Sequence, residues 1–150
     1  MERRQDDGPY GIYAEAEVTV EFFDCDPLKV VWHGNYFNFF EVGRRALLEK
    51  IGYGYDEMEK TGYSFPVIEA SAKFLSSLRF RDRARVKAIL EEYENRIRIK
   101  FEIRNAQTGS LTTKGVSTQM AIDMRTNESC FVCPQVFTDK VEAFIKGEQP

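Results

Sequence analysis

The chain has 150 residues, with 21 Lys and Arg against 24 Asp and Glu and a formal net charge of -3. That length suits one domain able to bury its own core, and the acidic balance excludes bulk nucleic-acid binding, which needs a surplus of cations. No apolar run reaches the roughly 20 residues of a membrane span, no apolar segment follows the charged start as in a secretory signal, and three Cys are an odd count for a disulfide framework, so a cytoplasmic location is expected.

Residues 1–12 are polar and are expected to form a flexible tail, with a single domain over 13–150. From Ala14 to Phe22, Ala14, Ala16, Val18, Val20 and Phe22 alternate with Glu15, Glu17, Thr19 and Glu21, the pattern of a half-buried strand. Asn35 to Ile51 reads as a helix with Asn35 as N-cap and Gly52 as C-cap. Its apolar stripe is broad, from Tyr36, Phe39, Phe40 and Gly43 to Leu47 and Ile51, and only Asn38, Glu41, Arg45 and Glu49 are reliably polar. A helix apolar over so much of its surface belongs inside a fold. A short helix at Tyr55–Lys60, ended by Gly62, is followed by strand patterns at Val67–Phe74, Arg85–Tyr93, Arg96–Arg104 and Leu111–Asp123. In the last of these Val116, Thr118, Met120 and Ile122 are expected on one side. Residues 135–145 are expected to form a short helix. Closely joined strands pair antiparallel, and each has one apolar face. The expected fold is α+β: a curved five-stranded antiparallel sheet wrapped around one long central helix.

The stretch from Asp24 to Glu41, DCDPLKVVWHGNYFNFFE, links a strand end to that helix. Pro27 holds Asp26 away from helical backbone, which fixes the direction of its carboxylate. Gly34 permits an unusual backbone angle. The N–H groups from His33 to Tyr36 lack intrahelical partners and sit at the positive end of the helix dipole. They would stabilise negative charge developing on a carbonyl oxygen, as an oxyanion hole does. One carboxylate beside such a hole suits acyl transfer from a thioester to water without metal or cofactor. Asp26 could act as general base towards water or attack the carbonyl itself; the residues leave both routes open.

These residues resemble the signature of the 4-hydroxybenzoyl-CoA thioesterase family: Asp-x-Asp-Pro, Val-Val-x-His-x-Asn-Tyr, then Phe-Glu and an Arg. The resemblance spans roughly Glu17 to Asp123. It implies a hot-dog fold and hydrolysis of an acyl-CoA or acyl-carrier-protein thioester, with no cofactor. It also implies a homodimer or homotetramer with the site at a subunit interface. By position, Asp26 matches the catalytic Asp and the His33 N–H matches the group that polarises the thioester carbonyl, with Gly34 beside it. The His33 side chain is a further catalytic candidate. Lys29 replaces the small or flexible residue often found there, and with Asn35, Tyr36 and Phe40 it is expected to meet the substrate. A non-catalytic acyl-pantetheine-binding or carrier-docking module on the same scaffold is the alternative.

Asp24 is expected to stabilise its loop, and Glu41, with Arg45 four residues on, to form a helix-surface ion pair; Glu41 is the reserve carboxylate. Arg79, Arg81, Arg83, Arg85 and Lys87 fall at every second position. An extended backbone would point all five one way, and Arg81, Arg83 and Arg85 are the expected seat for CoA phosphates or an acidic carrier protein. A solvated face balanced by acids is the competing reading.

Overall fold

The computed structural model describes residues 6–147. The chain runs β1 (Tyr13–Thr19), α1 (Tyr36–Ile51), α2 (Tyr55–Thr61), β2 (Tyr63–Ser64), β3 (Val67–Phe74), β4 (Arg83–Glu92), β5 (Ile97–Asn105), β6 (Leu111–Gln119), β7 (Ile122–Asp123), β8 (Glu128–Ser129) and α3 (Gln135–Ile145). Single 3₁₀ turns at Phe22–Asp24 and His33–Asn35 lie between β1 and α1. Five strands form one antiparallel sheet in the order β1-β4-β5-β6-β3. Sheet and helix meet as expected, and the fold is α+β.

Alternation, strict in β5 and interrupted at Ile89 in β4, explains the centre of the sheet. Ala84, Val86, Ala88 and Leu90 of β4 and Ile97, Ile99, Phe101 and Ile103 of β5 are fully buried. They face α1, whose Phe40 ring stacks on Phe101 with centroids 4.6 Å apart. Burying a side chain of that size contributes about 1.5–3 kcal/mol. Gly52 closes the helix in the left-handed conformation, with φ 92°, which glycine adopts without cost.

Three strand expectations change. β1 ends at Thr19, and Phe22 lies on a 3₁₀ turn, 78% exposed, rather than in the core. The expected single strand over 111–123 is two, because residues 120–121 break it and β7 joins β2 and β8 in a small second sheet. The face of β6 is also opposite to expectation. Thr113, Gly115 and Ser117 are the partners of Ile103, Phe101 and Ile99 and so share the helix side, while Val116 and Thr118 face outward. The Phe40 ring explains the reversal. A Cβ at Gly115 would overlap that ring and come within 3.0 Å of the Ser71 carbonyl oxygen. Only a small residue fits beneath an aromatic ring already stacked on its other side.

Two further expectations are refined. Helix α1 is not enclosed all round: Phe37 is 37% exposed and Asn38, Glu41, Arg45 and Glu49 are open. Of the stretch expected as a flexible tail, residues 1–5 lie outside the described residues. Residues 6–12 lie against the sheet. Ile12 is buried and its carbonyl accepts the Leu90 N–H at 2.9 Å. Asp7 and Asp6 pair with Lys87 and Lys100 at 2.7 and 2.6 Å.

Substituting Gly115→Ala is expected to destabilise the fold by about 2 kcal/mol, the cost of overpacking a filled core. Urea denaturation of both proteins measures this; an unchanged midpoint would show that the Phe40 ring yields freely.

Candidate active site

Residues 25–31 form a tight hairpin joining the first 3₁₀ turn to the second, with Cys25 and Val31 paired across it. The Asp26 N–H donates to the Val30 carbonyl and the Lys29 N–H to the Asp26 carbonyl, both at 2.9 Å. The Asp26 carboxylate Oδ1 accepts the Leu28 N–H at 2.8 Å. Pro27 fits the turn because it presets its own φ and needs no donor there. Asp26 is half-buried, with one oxygen committed to the turn.

The Asp24 carbonyl ties this hairpin to the helix start. It accepts the Trp32 N–H and the Asn35 Nδ2, both at 2.9 Å. Asp24 stabilises its loop as expected, its carboxylate accepting the Glu21 N–H at 2.8 Å. Asn35 acts differently from the N-cap expected of it. Its backbone is already helical and its side chain caps nothing, because the turn His33–Asn35 starts the helical path two residues earlier, after Trp32. Gly34 also has another role. Its backbone angle is not left-handed, but a Cβ there would overlap the Trp32 indole, which lies against it.

The amides at this helix start divide sharply. Trp32 N–H is used by Asp24 and Asn35 N–H by the Trp32 carbonyl at 2.9 Å. Among the described residues the His33 and Gly34 N–H groups have no acceptor. They are two orphan donors at a helix N-terminus.

Asp26, His33 and Tyr36 line one cleft of about 320 Å³. Phe74, Leu75 and Ser76, from the end of β3 and the loop beyond it, form the facing wall. The Tyr36 hydroxyl accepts the Leu78 N–H at 3.2 Å, which holds that loop against the helix. Burial pushes the Tyr36 phenol above its ordinary range. The His33 ring lies 5.1 Å from the Trp32 ring and 6.2 Å from Phe74, between centroids. Sequence reasoning placed Phe74 at the end of a strand but missed it and Leu75–Ser77 as a cleft wall: the run Leu75-Ser76-Ser77 has no periodic or motif signal, and only its place after that strand marks it as a loop.

The other expected residues stand elsewhere. Phe40 is core, between Phe101 and Gly115, and does not reach the cleft. Asn35 is bound to Asp24, and its Oδ1 accepts the Asn38 amide at 3.1 Å. Lys29 is exposed and left-handed at φ 67°, which explains why a small or flexible residue suits the position. Arg81 is not on a strand: it sits left-handed in the turn before β4, its guanidinium 5.0 Å from the Phe80 ring centroid. Arg83 and Arg85 do share a face of β4, but Glu17 and Glu15 of β1 lie 3.5 and 4.0 Å from them. The expected five-residue cationic stripe is therefore three residues long and balanced by acids. Glu41 pairs with Arg44 rather than Arg45 and accepts the Tyr55 hydroxyl at 3.0 Å. Arg44, only 3% exposed, also donates to Ser117 Oγ at 2.7 Å. Glu41 is thus engaged away from the Asp26 cleft.

Replacing Lys29→Gly is expected to stabilise the chain by about 1 kcal/mol, because it removes the left-handed penalty of an L side chain. Thermal and urea unfolding would check this, and a loss of stability would refute the strain.

Comparison with known proteins bears on the family and the fold. Residues 20–142 match the family model described as the thioesterase-like superfamily. The chain is 30% identical to the Bacillus subtilis protein YneP over 111 residues, which is 73% of this chain and 80% of YneP. It is 37% identical over 76 residues to the Arabidopsis thaliana acyl-acyl carrier protein thioesterase ATL3, covering 51% of this chain and 40% of that one. Among solved structures, the DHNA-CoA thioesterase of Staphylococcus aureus superposes with a TM-score of 0.80 at 31% identity, covering 90% of each chain. With a family match across most of its length and a shared architecture, the chain belongs to the thioesterase-like superfamily of hot-dog fold.

Proposed function

We propose that Asp26 is the carboxylate with which this thioesterase cleaves an acyl thioester carried on CoA or on an acyl carrier protein. The observation that carries the reading is that Asp26 shares one cleft with His33, at the helix start whose His33 and Gly34 amides are unused. The thioester carbonyl oxygen accepts from those amides, in the favourable field of the helix start. In one route Asp26 takes a proton from water as its oxygen attacks the carbonyl carbon. The carbon–sulfur bond breaks, and the thiolate leaves with the electron pair and gains the proton. In the other, Asp26 attacks first and forms an anhydride that water then opens. The half-burial of Asp26 keeps it near solvent, and its Oδ2 is the oxygen not held by the Leu28 amide. His33 borders the cleft and adds its ring edge to the wall.

The quaternary reading is a homodimer formed at the β3 edge. β3 is the last strand of the sheet, and Val67, Ile68, Phe74 and Leu75 on or just beyond it are all exposed. A long apolar edge strand is a pairing surface. A partner there would also cover Phe74, and so close the cleft wall.

In Asp26→Asn the Leu28 amide keeps its acceptor, so folding is retained. Turnover in a thiol-trapping assay is expected to fall by about a hundredfold or more, the scale of a lost general base; undiminished thiol release would remove Asp26 from the mechanism. Sedimentation at micromolar concentration is expected to give a dimer, and a lone monomer would refute the edge pairing.

A further inference from the structure

Large apolar side chains stand clear of the surface at one end of the molecule. Phe22, Leu28 and Phe23 are 78%, 79% and 81% exposed, and Phe80 is exposed beside them. A soluble chain rarely leaves such a group uncovered unless something binds there. The side chains sit on three turns tied into one surface. Val30, in the arm behind Leu28, forms a bridge with Arg79, and the Val31 N–H donates to the Leu78 carbonyl at 2.9 Å. The Phe22 ring meets the Phe80 ring edge-on, with centroids 5.8 Å apart.

Two of these turns are built alike. Leu28 precedes Lys29 and Phe80 precedes Arg81, and both cations hold left-handed backbone, with φ 67° and 71°. Among the described residues the one other non-glycine residue so held is Asn127, a type that tolerates the conformation; for Lys and Arg it is strained. Each tip thus sets a cation beside an exposed apolar side chain at an energetic cost. The charges are also sorted. Asp24, Asp26 and Asp82 are half-buried, and each accepts a backbone amide at 2.8 Å, from Glu21, Leu28 and Arg79. Glu21 is the exposed acid of these loops. Among the described residues no carboxylate lies within 4.0 Å of Lys29, Arg79 or Arg81. A bilayer interface requires this combination: apolar side chains that enter the acyl layer, with cations at the depth of the phosphates. A stable protein contact needs about 800 Å² of matched surface on each partner, whereas side chains standing singly on turns present points.

We propose that this end of the molecule docks on an anionic lipid bilayer, with Phe22, Phe23, Leu28 and Phe80 entering the acyl layer and Lys29 and Arg81 meeting the headgroup phosphates. Asp26 and Leu28 share one hairpin, so docking holds the cleft near the lipid surface, where amphipathic acyl thioesters collect. That link to turnover rests on the thioesterase reading; the lipid contact does not. The test is sedimentation of the full chain with vesicles of phosphatidylcholine containing about one-third phosphatidylserine. The native chain is expected to sediment with them, less so as salt is raised, and less with phosphatidylcholine alone. The combined variant Phe22→Ser, Phe23→Ser, Leu28→Ser should lower the partition coefficient about tenfold or more. Its urea midpoint, and its turnover of a short water-soluble acyl thioester, should stay close to native. Arg79→Glu with Arg81→Glu should abolish vesicle binding, and Arg79→Lys with Arg81→Lys should retain it. The assignment is overturned if the native chain ignores the anionic vesicles, binds phosphatidylcholine alone equally well, or binds no better than the serine variant. It is equally overturned if the serine variant loses a self-association of the native chain, which makes the patch a contact between copies, or loses only turnover of acyl carrier protein, which makes it a protein dock. If no thioester were cleaved at all, the vesicle arm would still decide the lipid contact, and the thioesterase reading alone would fail.

Discussion

The Asp24 carbonyl oxygen accepts two hydrogen bonds, from the Trp32 amide and from the Asn35 side chain. Each contributes only about 1 kcal/mol of net stability, yet together they decide where the Asp26 hairpin sits relative to the first helical turn. The second arm of the hairpin is tied separately to the loop before β4, the Val31 N–H donating to the Leu78 carbonyl at 2.9 Å. The two bonds to Asp24 consume the Trp32 donor and divert the Asn35 side chain from capping. The two amides between them, His33 and Gly34, are left unpaired.

A helix start normally satisfies its first amides with a side-chain cap or with water. Here the position that would supply the cap is Trp32, which has no acceptor to offer, and its indole lies against Gly34. A Cβ at residue 34 would displace that ring. The glycine therefore serves contact rather than backbone freedom.

Much of this was legible in the residues. Alternation, strict in β5 and broken only by Ile89 in β4, identified the covered face because both strands are central. The Asp24–Glu41 stretch holds Asp26, His33 and Tyr36, which line one cleft, because Pro27 and the helix start constrain the backbone locally. The errors have physical causes. On β6 the helix-facing residues are small and polar because Phe40 needs the space, so hydrophobicity pointed to the wrong side. The cationic spacing from Arg79 to Lys87 implied an extended strand, but Asp82 accepts the Arg79 amide at 2.8 Å and turns the chain before β4 begins. Arg44 lies in the helix interior, where a charged residue is not expected; its burial depends on Ser117, 73 residues away, which no local pattern reveals.

The position of the cleft follows from a mismatch between sheet and helix. α1 packs chiefly on β1 and β4, at the other side of the sheet from the outer strand β3. Its inward Phe74 remains 45% exposed. A fully covered sheet would leave no room between the helix start and the strand, and a shorter sheet would lack the far wall. The cleft arises where the fifth strand overhangs the first turn of the helix, held there by the Tyr36 hydroxyl on the Leu78 amide. Because that overhang is also the free edge of the sheet, whatever pairs with β3 also sets how closed the cleft is. Phe74 thus belongs at once to the cleft wall and to the free edge of the sheet.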